Sequence, residues 1–195
     1  MPKTPEQYKE QRDEKAELIM NTALELFARK GFYSSSVSDI AGAAGISKGL
    51  MYNYFHSKEQ LLIEILKKGF HQYVSVFFQT ENEEPVVESL TYIVNETISI
   101  AQANPHFWKM YFALATQPRV AEIAHKEMMN YTLPMAKALT DFFVKNGYEK
   151  PEVELRFLSA MLDGLVMNYI YDTENFPLEE VKNKLLRCYE ADGIT

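Results

Sequence analysis

The residues with chemistry to offer gather in one short run, "GISKGLMYNYF", Gly45 to Phe55. Ser47, Lys48, Tyr52, Asn53 and Tyr54 carry two kinds of hydroxyl, an ammonium and an amide, and Gly49 has no side chain. On a helix from Lys48 to Phe55, Met51 and Phe55 lie four apart on one face, and Gly49 and Asn53 mark the opposite face. Lys48 and Tyr52 flank that outer face on one side, Leu50 and Tyr54 on the other. A duplex suits it. Hydroxyls and free N–H groups at a helix start bond phosphate oxygens. An asparagine amide matches an adenine edge, and a lysine reaches guanine or phosphate. The bare Gly49 would let backbone come close to something bulky. Spacing alone leaves a second reading open, because short helix pairs with a glycine turn and surface tyrosines are common in helical proteins.

The rest of the chain has little that resembles catalysis. His56, His71, His106 and His125 show no HxxxH or HExxH spacing, and Cys188 is the single cysteine, without a partner for a disulfide or a metal site. "GAAGISKG" lacks both the phosphate-loop spacing and a preceding strand. Asp163 and Asn168 read as buried polar residues that helix packing explains as well as catalysis would. No catalytic residue, metal or cofactor is expected, and the chain does not read as an enzyme.

These residues need elements to hold them, and the periodicity is helical throughout. Residues 13–29 place Ile19, Ala23, Leu26 and Phe27 on one stripe, then end in Arg29-Lys30 and Gly31, a helix exit. Ser36 with Asp39 three positions on is a capping-box pattern, and Ser57 with Gln60 repeats it. Between them a helix begins after Gly45, capped by Ser47, so 36–55 reads as helix, tight glycine turn, helix. Downstream, Pro85, Pro105, Pro118, Pro151 and Pro177 separate helical patterns, while Pro134 falls inside one and should kink or break it. The fold class is all-α, with about nine helices. Three small ones precede residue 56 and six longer ones follow.

The chain has 195 residues, ample for a core, and one cysteine, which fits a reducing cytoplasm. Its apolar runs are too short to span a bilayer, and its polar start of mixed charge excludes a signal peptide. The net charge of −7 argues against a nucleic-acid partner until it is located. Residues 1–60 hold eight basic and eight acidic side chains, so the whole excess lies beyond them, and 29–59 hold four basic against two acidic.

Residues 23–62, "ALELFARKGFYSSSVSDIAGAAGISKGLMYNYFHSKEQLL", resemble the DNA-binding region of the TetR family of bacterial transcriptional regulators. The resemblance rests on Ala23, Phe27, Gly31-Phe32, Ser36, Ile40-Ala41, Ala44-Gly45, Ser47, Gly49, Tyr52, Phe55, Lys58 and Leu61. It implies that Ser36, Tyr52 and Lys58 contact phosphate and that Ser47, Lys48, Gly49, Asn53 and Tyr54 lie on the groove-facing helix. Leu50 and Asn53 depart from the residue types usual at their positions. Lys3 and Lys9, on an N-terminal arm, read as solvated lysines on a frayed end rather than phosphate contacts.

Beyond residue 57 the sequence offers compositions rather than motifs. Phe107, Trp108, Tyr111 and Phe112, with Met128, Tyr131 and Met135, either pack as plain core or line an apolar pocket with a few polar tips. The family resemblance implies a cavity and so favours pocket lining for part of the set, with a small apolar or amphipathic ligand. The 152–171 pattern is apolar nearly all round and 178–190 has one stripe. Phe157, Met161, Leu165, Tyr169, Val181, Leu185 and Tyr189 would then join two copies in a four-helix bundle about a two-fold axis, as the resemblance also implies. The expected organisation is a DNA-binding domain over 1–56 and a ligand-binding and dimerisation domain over 57–195. The expected protein is a cytoplasmic homodimeric repressor, released from a palindromic double-stranded DNA operator by its ligand. The alternative is a helical small-molecule carrier or interaction module with a structural helix-turn-helix.

Overall fold

A computed structural model describes residues 4–76, 87 and 89–190. Among them are nine helices and no strand: α1 (Pro5–Lys30), α2 (Val37–Ala43), α3 (Lys48–Tyr52), α4 (Lys58–Val74), α5 (Leu90–Ala103), α6 (Pro105–Ala115), α7 (Pro118–Lys145), α8 (Pro151–Tyr171) and α9 (Leu178–Glu190). The all-α expectation holds. Proline opens α1, α6, α7 and α8, where a missing N–H costs nothing and a fixed φ suits the first turn.

Two expectations need correction, and a third is modified. The first helix begins at Pro5 rather than near residue 13, because Thr4 caps it: its hydroxyl accepts from Gln7 N–H while the Gln7 amide oxygen accepts from Thr4 N–H. Lys9 is therefore helical, not on a frayed arm, and Lys3 lies outside the described residues, as does Pro85. Pro134 does not break its helix, since α7 runs continuously from Pro118 to Lys145 through it. The groove-facing helix is shorter than expected, ending at Tyr52 with Asn53 as its C-cap.

The chain forms two compact units: Met1–Gly69 with Met110–Glu127, and Phe70–Lys109 with Met128–Thr195. The first is built on α1, whose Ile19, Ala23, Leu24 and Phe27 are buried with Phe32, Ile40, Met51, Leu61 and Leu62. Lys68 of α4 pairs with Glu17 of α1 at 2.6 Å on its surface. In the second unit α5, α8 and α9 pack together through Ile93, Val94, Leu158, Leu162, Leu165, Leu185 and Tyr189. The end of α7 adds Phe142 and Phe143, and Phe143 meets both Tyr148 and Tyr189 within 6 Å.

Candidate nucleic-acid interface

Backbone geometry at residues 36–58 follows from a few polar side chains. The Ser36 hydroxyl accepts from Asp39 N–H at 3.1 Å, and an Asp39 carboxylate oxygen accepts from Ser36 N–H at 2.9 Å and from Ser36 Oγ at 2.7 Å. These bonds from Ser36, side chain first, hold the Asp39 carboxyl below its ordinary value. At the other end of α2, Gly45 takes φ +65, and its N–H donates to Gly42 O while Ile46 N–H donates to Ala41 O. That pair of bonds is a Schellman exit, which needs a residue tolerant of positive φ. Ser47 then caps α3, accepting from Leu50 N–H at 3.1 Å with its own proton left to donate.

The two faces of α3 separate as their types demand. Met51 is 1% exposed and Phe55 is buried with it, whereas Tyr52 is 42% exposed. Ser47, Lys48, Gly49, Leu50 and Asn53 are exposed as well, and Tyr54 is half-buried. A Cβ added to Gly49 would meet nothing nearer than the Ser47 hydroxyl at 4.0 Å. The protein itself does not require a glycine there.

Three candidate residues are placed differently from the rest. Ser36 is exposed, but its hydroxyl is already engaged with Asp39. Lys58 is half-buried, and its ammonium donates to Phe32 O at 2.9 Å and Ser35 O at 3.0 Å while standing 4.4 Å above the Phe32 ring. Tyr54 borders an open cavity of about 770 Å³ along α1, with Tyr8, Arg12, Lys15 and Leu18 among its other walls. The second capping box is half made: Ser57 accepts from Gln60 N–H, but the Gln60 amide oxygen takes the His56 N–H instead.

Residues 19–65, which contain this helix-turn-helix, match the family described as bacterial regulatory proteins, tetR family. This stretch is a TetR-family DNA-binding region. The chain is similar to the fatty acid metabolism regulator protein of Bacillus subtilis (strain 168), 24% identical over 175 residues, which are 86% of this chain and 90% of that protein. It is 57% identical to the B. subtilis HTH-type transcriptional regulator YuxN over 53 residues, though these are only 18% of that protein. Among solved structures it resembles the fatty acid degradation regulator FadR of Bacillus halodurans, with a TM-score of 0.61 at 23% identity, covering 95% of this chain and 97% of that one. That last likeness speaks to the fold. With such a region, and with a named regulator similar to it along most of its length, the chain is a DNA-binding transcriptional regulator and not an enzyme.

The remaining candidates divide between the two units. Tyr111 and Phe112 belong to the first unit; Phe107, Trp108, Met128, Tyr131 and Met135 belong to the second. Tyr111 is a packing residue: its hydroxyl donates to Leu66 O at 3.2 Å, and a Cβ added to Gly69 would stand 2.3 Å from its ring. Burial pushes its phenol up to about 12, so it stays a neutral donor at any ordinary pH. Phe107, Trp108, Met128 and Met135 are buried, and the Trp108 indole donates to Ile100 O at 3.1 Å. Tyr131 is half-buried, with His71 5.2 Å and Phe70 5.9 Å from its ring.

The expected dimer set also divides. Leu165, Leu185 and Tyr189 are buried in this chain's own core, the last with its hydroxyl unpaired. Tyr169 and Val181 are half-buried, while Phe157 and Met161 are exposed. Val153, Met167 and Tyr171 are exposed apolar residues of α8 that the sequence reading did not select. Asp163 and Asn168 are exposed on α8 rather than buried, contrary to expectation. Two further residues were missed: Gly69, whose place inside an apolar helical pattern was a usable signal of close approach, and Gln117, which has no sequence signal.

Among the described residues there is no group of three or more His, Cys, Asp and Glu placed to hold a metal ion, and no helix long and apolar enough to cross a membrane.

Proposed function

We propose that this TetR-family regulator is a cytoplasmic homodimeric repressor that grips a roughly palindromic operator with two copies of α3 and lets go when an apolar or amphipathic ligand binds its body. One observation carries the DNA half of this reading. The face of α3 away from the buried Met51 and Phe55 presents Ser47, Lys48, Gly49, Tyr52 and Asn53 together. Lys48, Ser47 and Tyr52 suit phosphates, Asn53 suits an adenine edge, and Gly49 leaves room for the groove wall. Lys58 acts from within, by fixing the loop before α2, and Ser36 by capping α2; neither needs to touch phosphate.

Residues 1–56 supply DNA binding and 57–195 supply the ligand site and the dimer. The resemblance to a fatty acid metabolism regulator over 86% of this chain favours a ligand derived from fatty acids. Phe107, Trp108, Met128, Tyr131 and Met135 would then serve its chain. Dimerisation uses the outward stripe of α8, Val153, Phe157, Met161, Met167 and Tyr171, rather than the buried Leu165, Leu185 and Tyr189.

Gel retardation with duplexes selected by the protein from a random-sequence pool tests the reading. Salt-sensitive binding should be seen, lost on Tyr52→Ala or Lys48→Ala and released by free fatty acids of graded chain length. No selection of any duplex above background would sink it, and selection without release would remove only the ligand.

A further inference from the structure

We propose that Gln117 is a positioning residue for DNA binding: its side-chain amide grips the backbone on both sides of the Gly31 turn and so holds the loop from which α2 starts. The proposal rests on the DNA-binding role of α3 given above.

The Gly31 turn creates the need for such a grip. α1 ends as Gly31, at φ +86, donates its N–H to Phe27 O at 3.0 Å. The chain then turns away, and the Phe32 N–H points out of the helix without a backbone partner. Gln117, in the turn between α6 and α7, answers with both ends of one planar amide. Its Oε1 accepts from Phe32 N–H at 3.1 Å, and its Nε2 donates to Phe27 O at 2.9 Å.

The same peptide segment is held from a second side. Lys58, the first residue of α4, donates to Phe32 O and Ser35 O, and the buried Ser35 hydroxyl donates to Gly31 O at 3.0 Å. Phe32 thus has its N–H bound by the α6–α7 turn and its carbonyl bound by α4. Ser36, the N-cap of α2, follows four residues later, and the Schellman exit of α2 leads directly into α3. A shift of the α6–α7 turn must therefore stretch the bond to Phe32, in the segment that places α2, and the bond to Phe27, at the end of α1. Arg119 adds a softer contact, its guanidinium 5.5 Å from the Tyr33 ring.

Gln117 is an amide with both functions used, so shape alone cannot replace it. Gln117→Met keeps the length and loses both bonds, and Gln102→Ala, on the exposed face of α5, serves as the control. The probe is the duplex that the wild-type protein selects from a random pool; if none is selected, the DNA reading fails before this one is reached. Gln117→Met should bind that duplex roughly 10-fold more weakly, as expected for losing about two ordinary hydrogen bonds. Its salt dependence should match wild type, because no phosphate contact is removed. Amide hydrogen exchange should rise over residues 31–40 and stay unchanged in α5, α8 and α9. Affinity within twofold of wild type overturns the proposal. So does exchange that rises evenly across the chain, which would mark a residue of general stability only. If Gln117→Met fails to fold, the wild-type protein still decides: DNA binding should slow exchange at the Phe32 amide and the Gln117 side-chain amide together. Protection confined to α3 overturns the proposal.

Discussion

Met51 and Tyr52 are neighbours with opposite duties, and the difference is measurable. Met51 is sealed beneath α3, so Met51→Ala should cost about 2–5 kcal/mol of stability by lost burial and a residual cavity. Tyr52→Ala, on the exposed side, should stay within about 0.5 kcal/mol of wild type in urea unfolding while abolishing DNA binding. Equal loss of stability in both would mean that the two faces are not distinct. Gly69 offers a second test. A methyl there would press into the Tyr111 ring at 2.3 Å, so Gly69→Ala should destabilise by about 1–3 kcal/mol through forced movement of that ring. Unfolding midpoints for Gly69→Ala and Tyr111→Phe separate overpacking from the loss of the bond to Leu66.

At the scale of an element, α2 depends on its two ends. The Asp39 carboxyl is held below its ordinary value, so its folded form binds fewer protons than the unfolded chain as pH falls. The contribution to stability is full above the unfolded value near pH 3.9 and fades as pH drops through the depressed folded value. Amide exchange at residues 36–40 should show α2 loosening first in acid, and Asp39→Asn should remove most of that pH dependence. Unchanged acid sensitivity in Asp39→Asn would assign it to another group. Both ends of α2 were legible in advance, because capping boxes and glycine exits are contracts between residues a few positions apart. The span of α1 was not, since its cap at Thr4 lies outside the apolar stripe that signals a helix. The break expected at Pro134 does not occur because α7 tolerates one lost bond where flanking turns hold it.

For the whole molecule the question is which surface a second copy covers. Exposed apolar residues recur along α8 from Val153 to Tyr171, and burying them is the natural source of association. Light scattering should give twice the 22.5 kDa chain mass for wild type and a single chain mass for Phe157→Glu. A monomer for wild type at micromolar concentration would remove the bundle. The periodicity of α8 announced a helix covered on several sides, but it could not say which side its own neighbours take. Leu165 and Met161 look alike in sequence; α5 and α9 decide that one is core and the other surface. Gln117 was beyond reach for a related reason. Its partner Phe32 lies 85 residues away, and nothing local to "ATQP" marks that meeting.

The Gln117 grip on the Gly31 turn acts on main-chain atoms alone: the Phe27 carbonyl and the Phe32 N–H. Every residue type has those atoms. The outward side chains of α3 can therefore drift toward new target sites over evolutionary time without retuning the connection behind them. Heads exchanged between relatives would inherit the same attachment wherever position 117 keeps its amide, which makes recognition and response separately heritable traits.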